Sequence, residues 1–174
     1  MVEHDDGAPP PDILVTAVVV NWNTRELLRQ CIDSLQAAAA SVNMQIVVVD
    51  NDSSDGSADM VAAEFPRVDL VRNPQNVGFG RGCNRGFEVA RGRYLLLLNP
   101  DARLDQPHTL TRWVSVMEQD ARIAASGAYV VDGDGRHRLH LVHQRLIDME
   151  AARRIEHDHV IALQLRQIGR ASCR

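Results

Sequence analysis

Short apolar runs recur along the chain, and each is broken off by a cluster of polar turn formers. Residues 13–20 read ILVTAVVV. The run is β-branched and apolar on both faces, as expected of a strand buried in a parallel sheet. Residues 45–49 (QIVVV), a shorter stretch at 68–72 and the four leucines at 95–98 repeat the pattern. Between the first two runs, Leu27, Leu28, Cys31, Ile32 and Leu35 recur at helical spacing and predict an amphipathic helix over 25–40. Asn23 or Thr24 is placed to cap it, and Glu26 suits its first turn. Further helices are predicted over 57–65, with Ser57 as cap and Pro66 as stop, over 82–90, and over 107–119, where Leu110, Trp113, Val114 and Met117 share a face. Residues 123–131 predict another strand, and Asp132-Gly133-Asp134-Gly135 a hairpin turn. Beyond Arg136 the pattern fades into an Arg- and His-rich segment, weakly helical from about 147. Strands alternating with helices over short links predict right-handed crossovers. The fold class is α/β, a Rossmann-like, mostly parallel sheet flanked by helices.

Composition narrows this picture. The chain has 174 residues, enough for one domain with a core, and a net charge of −4, which argues against a nucleic-acid partner. Three cysteines without metal-ligand spacing fit free thiols in a reducing compartment. No apolar run approaches the roughly 18 residues of a membrane span. Residues 1–12, acidic and proline-rich, read as a disordered leader; 13–136 form the folded domain; 137–174 carry no readable motif. The run at 168–174 matches one translated frame of a common sequencing adapter, so the reading frame is expected to be cut short. A cytoplasmic location is expected, with peripheral contact at the inner face of the plasma membrane.

Candidate chemistry follows from where the strands stop. Loops rich in Asn and Asp follow three predicted strands, at 21–24, 50–55 and 99–101. In a doubly wound sheet such loops share the carboxyl edge, where ligands bind. Asp50 is placed to accept from a uracil or thymine N3–H or a ribose hydroxyl, or else to start an Asx-turn. Asp52 and Asp55 read as turn and cap residues. Asp101 follows Pro100, which ends the leucine strand because it has no N–H to donate. A carboxylate there is costly unless solvated, paired or on a metal. The expectation is a divalent ion, Mg2+ or Mn2+, held by Asp101 on a nucleotide diphosphate. The segment 76–86 is neither a dinucleotide fingerprint nor a P-loop. Its glycines predict a flexible wall close to a ligand, with Arg81 or Arg85 near phosphate.

The ordered series VVVNWNT, VVVDNDSSDGS and RNPQNVGFGRGCNRGFEVARGRYLLLLNPDARL resembles the N-terminal, donor-binding half of family 2 glycosyltransferases, closest to the rhamnosyltransferase-like branch. The resemblance covers about 16–135. It implies a GT-A fold, a nucleotide-diphosphate sugar donor (dTDP-rhamnose or a UDP-sugar), inversion at the anomeric carbon and Mg2+ or Mn2+. It implies a glycan or lipid-linked acceptor at the cell surface. Asn21 and Asn23 then fall in the first donor loop, Asp50 on the base, and Asn76, Gly78 and Asn84 beside the donor. Asn99, Pro100 and Asp101 occupy the place of the family's DxD motif. With Asn in its first position, Asp101 alone can supply a carboxylate, and Asn99 falls near ribose. No acidic motif after Gly135 offers the general base that inversion requires. The catalytic residue is therefore unassigned, and the alternative reading is a truncated, non-catalytic nucleotide-sugar-binding module. The resemblance implies that this chain binds nucleoside diphosphate weakly and turns over poorly.

Overall fold

The computed structural model describes residues 13–104, 106 and 108–119, with short strand segments at 125–126, 130–131, 137–138 and 159–162. Strand β1 (Val15–Asn21) is followed by helix α1 (Arg25–Ala39), β2 (Met44–Asp50), α2 (Ser57–Glu64), β3 (Asp69–Arg72), α3 (Phe79–Glu88), β4 (Tyr94–Leu98) and α4 (Thr109–Gln119). Four short strands complete the described elements: β5 (Ala125–Ser126), β6 (Val130–Val131), β7 (His137–Arg138) and β8 (His159–Ala162). The main sheet has the order β3-β2-β1-β4-β8-β5, and its pairings are parallel. This is the α/β, GT-A-like architecture expected from the alternation of strands and helices.

The strands are apolar on both faces because both faces are covered. Val15, Ala17 and Val19 of β1 join Ile46, Val48, Leu96 and Leu98 under α1, α2 and α4. Val18, Val20, Val47, Val49, Leu95 and Leu97 lie under α3, against Cys83 and Phe87. Burial of this kind contributes about 25 cal/mol per Å² of apolar surface. On α4 the buried residues are Leu110, Trp113, Val114 and Met117, the face predicted from sequence.

The structure corrects several local expectations. Helix α3 starts at Phe79, three residues before the predicted start. Gly80, Gly82 and Gly86 therefore belong to a helix and not to a flexible wall. A Cβ on Gly82 would lie 2.7 Å from Val20 Cγ1, and one on Gly86 2.3 Å from Val18 Cγ1. These glycines let α3 approach the sheet; they do not open the backbone to a ligand. Residues 159–162 form a strand beside β4 where the sequence reads as weakly helical. Strands β6 and β7 pair antiparallel, as a hairpin requires, although the turn at 132–136 lies outside the described residues. So do residues 1–12 and 168–174, and most of the strand expected over 123–131. Among the described residues no helix is long and apolar enough to cross a membrane.

The two ends of the sheet differ. Near its amino end Thr16 Oγ1 donates to Gln45 Oε1 at 2.7 Å and accepts from Gly92 N at 2.8 Å. Gln45 Nε2 donates to Asp69 at 2.7 Å, and Arg91 reaches the same carboxylate at 3.0 Å. At the carboxyl end Asn21 lies in register with Asp50, and Val19 with Leu98. The chain order reverses between β1 and β4, which makes that end the topological switch point where α/β sheets bind ligands.

Candidate functional site

The last residue of β1 organises the carboxyl edge. Asn21 is fully buried. Its Nδ2 donates to Asp50 Oδ1 and to Ser53 Oγ, both at 3.1 Å, and its Oδ1 accepts from Thr24 Oγ1 at 2.6 Å. Asp50, the last residue of β2, is only 4% exposed. Its second oxygen accepts the Ser53 N–H at 3.0 Å. This bond reaches three residues along the chain, one further than an Asx-turn, and closes the start of the loop. A carboxylate has about four acceptor positions, so two remain for a ligand N–H or hydroxyl.

Asn23 adopts a left-handed backbone, φ 53°, as does Asp52 at 62°. Such angles are sterically costly for a residue with a Cβ and are tolerated best by Asn and Asp. Cross-loop bonds hold Asn23 there. Its N–H donates to Ser53 Oγ at 3.0 Å, and its Oδ1 accepts from Ser54 N at 2.8 Å. Ser53 thus stitches the first loop to the second, a role hidden in the sequence by the surrounding run of acids and serines.

Asp55 does more than the turn role read from sequence. Thr24 stands at the N-cap of α1 but makes no side-chain cap bond. The Arg25 N–H is instead accepted by Asp55 Oδ2 at 2.8 Å, and Asp55 Oδ1 accepts from Ser57 N at 3.0 Å and from Ser57 Oγ. Ser57, expected as a cap, is the first residue of α2 and serves as donor to Asp55. Burial alone would raise the Asp55 carboxyl, but the Ser57 hydroxyl and the Arg25 and Ser57 N–H groups outweigh it. They hold the carboxyl below its ordinary value.

A chain of buried amides connects this cluster to α3. Asn73 Nδ2 donates to Asn51 Oδ1 at 2.7 Å, and Asn51 Nδ2 donates to the Gly78 carbonyl at 3.3 Å. Asn51 and Asn73 are 2% and 6% exposed. The sequence reading passed over both, and their only signal was position, each directly after a strand. Gly78 has φ 83° and ψ 168°, a conformation reserved for glycine, and its N–H is held by Asn76 Oδ1 at 2.9 Å. Asn84 lies on α3 outside this network, half-buried, and its Oδ1 is buried without a hydrogen-bond partner. Arg85 turns to Glu88 at 3.1 Å, and Arg81 is exposed.

The third loop carries Asn99, Pro100 and Asp101, all half-buried. The Asn99 carbonyl accepts from Ala102 N at 3.0 Å and from Cys31 Sγ at 3.6 Å. Burial first, and the Asp101 carboxylate second, push the Cys31 thiol up to about 12. Among the described residues no three His, Cys, Asp or Glu side chains group to hold a metal ion. The donor set therefore does not suit an all-protein cage. It fits an ion that takes one protein carboxylate, from Asp101, and fills its shell with phosphate and water oxygens, as Mg2+ does. One surface group escaped the sequence reading. Trp22, between Asn21 and Asn23, is 52% exposed and offers an indole face at the rim.

Comparisons with known proteins bear on the family and the fold. Residues 16–167 match the family model described as Glycosyl transferase family 2. The chain is 36% identical over 124 residues to the succinoglycan biosynthesis protein ExoO of Rhizobium meliloti, covering 70% of this chain and 35% of that one. It is 27% identical over 135 residues to glycosyltransferase GlyA of Streptococcus pneumoniae, covering 75% and 19%. The chain thus spans about a third or less of the length of these relatives. Among solved structures, S. aureus TarS 1-349 in complex with UDP superposes with a TM-score of 0.64 at 18% identity, covering 76% of this chain and 40% of that one. The mannosyltransferase PcManGT from Pyrobaculum calidifontis, in complex with GDP-Man and Mn2+, gives 0.61 at 24% identity, covering 72% and 39%. Likenesses of this size show a shared fold.

Proposed function

The chain belongs to glycosyl transferase family 2, and on that premise we propose that it forms the donor-binding part of an enzyme moving a sugar from a nucleotide-diphosphate donor. The carrying observation is the convergence of three polar loops, at 21–24, 50–55 and 99–101, on the carboxyl edge at the switch point of the sheet. Asp50, held by Asn21 and Ser53, offers its two remaining acceptor positions to a base N–H or a ribose hydroxyl. Trp22 offers a stacking face to the base, and Asn84 Oδ1 an acceptor without an internal donor. Asn99 would meet ribose, and Asn76 and Gly78, which border the start of α3, would lie beside the donor.

Asp101 would hold Mg2+ or Mn2+. When bound, such an ion neutralises charge on the leaving diphosphate. The Mn2+ in the mannosyltransferase of like fold supports this reading. The donor proposed is dTDP-rhamnose or a UDP-sugar, transferred with inversion to a glycan or lipid-linked acceptor. The polysaccharide-forming relative supports the acceptor class. Inversion needs a base to take the acceptor hydroxyl proton, and no residue of this chain is assigned to it. The buried free thiols of Cys31 and Cys83 support a cytoplasmic location.

Calorimetry against dTDP-rhamnose, UDP-glucose, UDP and GDP, with and without Mn2+, tests the proposal. Mn2+-enhanced binding of UDP or a dTDP-sugar, lost in Asp101→Ala, is the expected result. Binding that ignores both Mn2+ and Asp101→Ala would overturn the site.

A further inference from the structure

Two side chains on one turn of α1 hold the loop that carries Asp101. Cys31 Sγ donates to the carbonyl of Asn99, the first residue of that loop, at 3.6 Å. Ser34 Oγ accepts the N–H of Leu104, its last residue, at 3.2 Å. The Ser34 hydroxyl proton is spent on the Cys31 carbonyl at 2.7 Å, which turns the Ser34 lone pairs towards Leu104. Pro100 has no N–H to give, and Ala102 N closes a turn on the Asn99 carbonyl at 3.0 Å. Leu104 adds apolar contact with the core beneath α1.

Serine is a poor choice for a helix interior, because its hydroxyl competes with the backbone. Ser34 lies mid-helix in α1 (Arg25–Ala39), where alanine or leucine would form helix better. Its hydroxyl also makes a bond to a loop 70 residues away in the sequence. The other end of α1 is tied to the second polar loop through Asp55 and Arg25 N. One helix therefore links the loop bearing Asp50 to the loop bearing Asp101.

We propose that Ser34 is a positioning residue for the Asp101 carboxylate, fixing the far end of the 99–104 loop so that Asp101 faces the metal-bound diphosphate. The inference rests on the donor-site reading above, and it assigns Ser34 no contact with donor or metal. Loss of a group hydrogen-bonded to a metal ligand typically weakens metal binding about 10- to 100-fold, and Ser34 acts one step further out, through Leu104 N, so the lower end applies.

The test is a Mn2+ titration of UDP binding to the full chain and its Ser34→Ala, Ser34→Thr, Asp101→Ala and doubly substituted variants. Ser34→Ala is expected to raise the Mn2+ concentration for half-maximal binding on the order of tenfold. It leaves metal-free UDP binding and the melting temperature near those of the parent. Ser34→Thr keeps the acceptor oxygen and restores the parent midpoint. In the Asp101→Ala background Ser34→Ala adds nothing, as expected of coupled residues. Hydrogen exchange at the Leu104 amide supplies a readout independent of ligand, and it accelerates in Ser34→Ala. A Mn2+ response lost in Asp101→Ala yet untouched by Ser34→Ala overturns this assignment alone. So does a Ser34→Ala shift that persists without Asp101. A Mn2+ response absent from the parent, or surviving Asp101→Ala, overturns the donor-site reading and this assignment with it.

Discussion

At Gly86 the absence of one methyl group decides how closely a helix approaches the sheet. An alanine Cβ there would meet Val18 Cγ1 at 2.3 Å, and Val18 is 1% exposed and β-branched, so it has little room to turn. Gly86→Ala is therefore expected to lower stability by about 1–3 kcal/mol by chemical denaturation. Gly80 is the control, a helical glycine whose added Cβ would meet nothing within 4 Å. Gly80→Ala should gain about 0.5–1 kcal/mol from reduced backbone entropy in the unfolded chain. The same scale governs binding. Trp22→Ala is expected to weaken UDP by about 1–3 kcal/mol, the usual contribution of a base stacked on an aromatic ring, read by calorimetry. Of the residues that compose the rim, Asn21, Asn23, Asp50 and Asp101 were legible because each stands where an apolar run stops. Asn51, Ser53 and Asn73 were not, because their importance lies in partners 22 to 32 residues away, and spacing along the chain does not show which loops will touch.

At the scale of elements, the helices and central strands follow from hydrophobic period, whereas their ends follow from contacts across the fold. Helix α1 looked self-capped by Asn23 or Thr24, but its first N–H is bound by Asp55, 30 residues on. Helix α3 looked like a loop until Gly82 because glycine is a poor helix former. Packing of Gly82 and Gly86 against β1 overrides that local weakness. Strand β8 was invisible because its place beside β4 is set by pairing, and its short apolar run has no distinctive period. Asp55 bridges the starts of α1 and α2, so its loss acts on both. Asp55→Ala should cost about 1–2 kcal/mol, typical of a lost cap. The pH dependence has a definite sign. The folded carboxyl lies below its ordinary value, so the ion's contribution is complete above the unfolded carboxylate pKa of about 3.9. It fades as pH falls through the lower folded value. Asp55→Asn should therefore lower stability at neutral pH, where the carboxylate contribution is complete, converge on the parent in acid, and so flatten the acid limb of stability measured by thermal unfolding.

Across the whole molecule, the two ends of the sheet carry different loads. The amino end is closed by the Thr16, Gln45, Asp69 and Arg91 network, in which Gln45 binds on both sides of its amide. The carboxyl end gathers the buried polar residues Asn21, Asp50, Asn51, Ser57 and Asn73, with acceptor capacity left over at Asp50 and Asn84. A ligand that uses this capacity binds only the folded state. UDP with Mn2+ at about 100 times its Kd is expected to add about 2.7 kcal/mol of stability, seen as a raised melting temperature. EDTA should remove most of that gain.

The two tryptophans divide between rim and core, Trp22 at the rim, 52% exposed, and Trp113 in α4, 8% exposed. They make the chain its own optical reporter. Emission from Trp113 should stay blue until the core opens, while Trp22 emits to the red and is quenched when a base covers it. With Trp113→Phe the remaining fluorescence would follow events at the rim alone, and donor binding could be watched without a label.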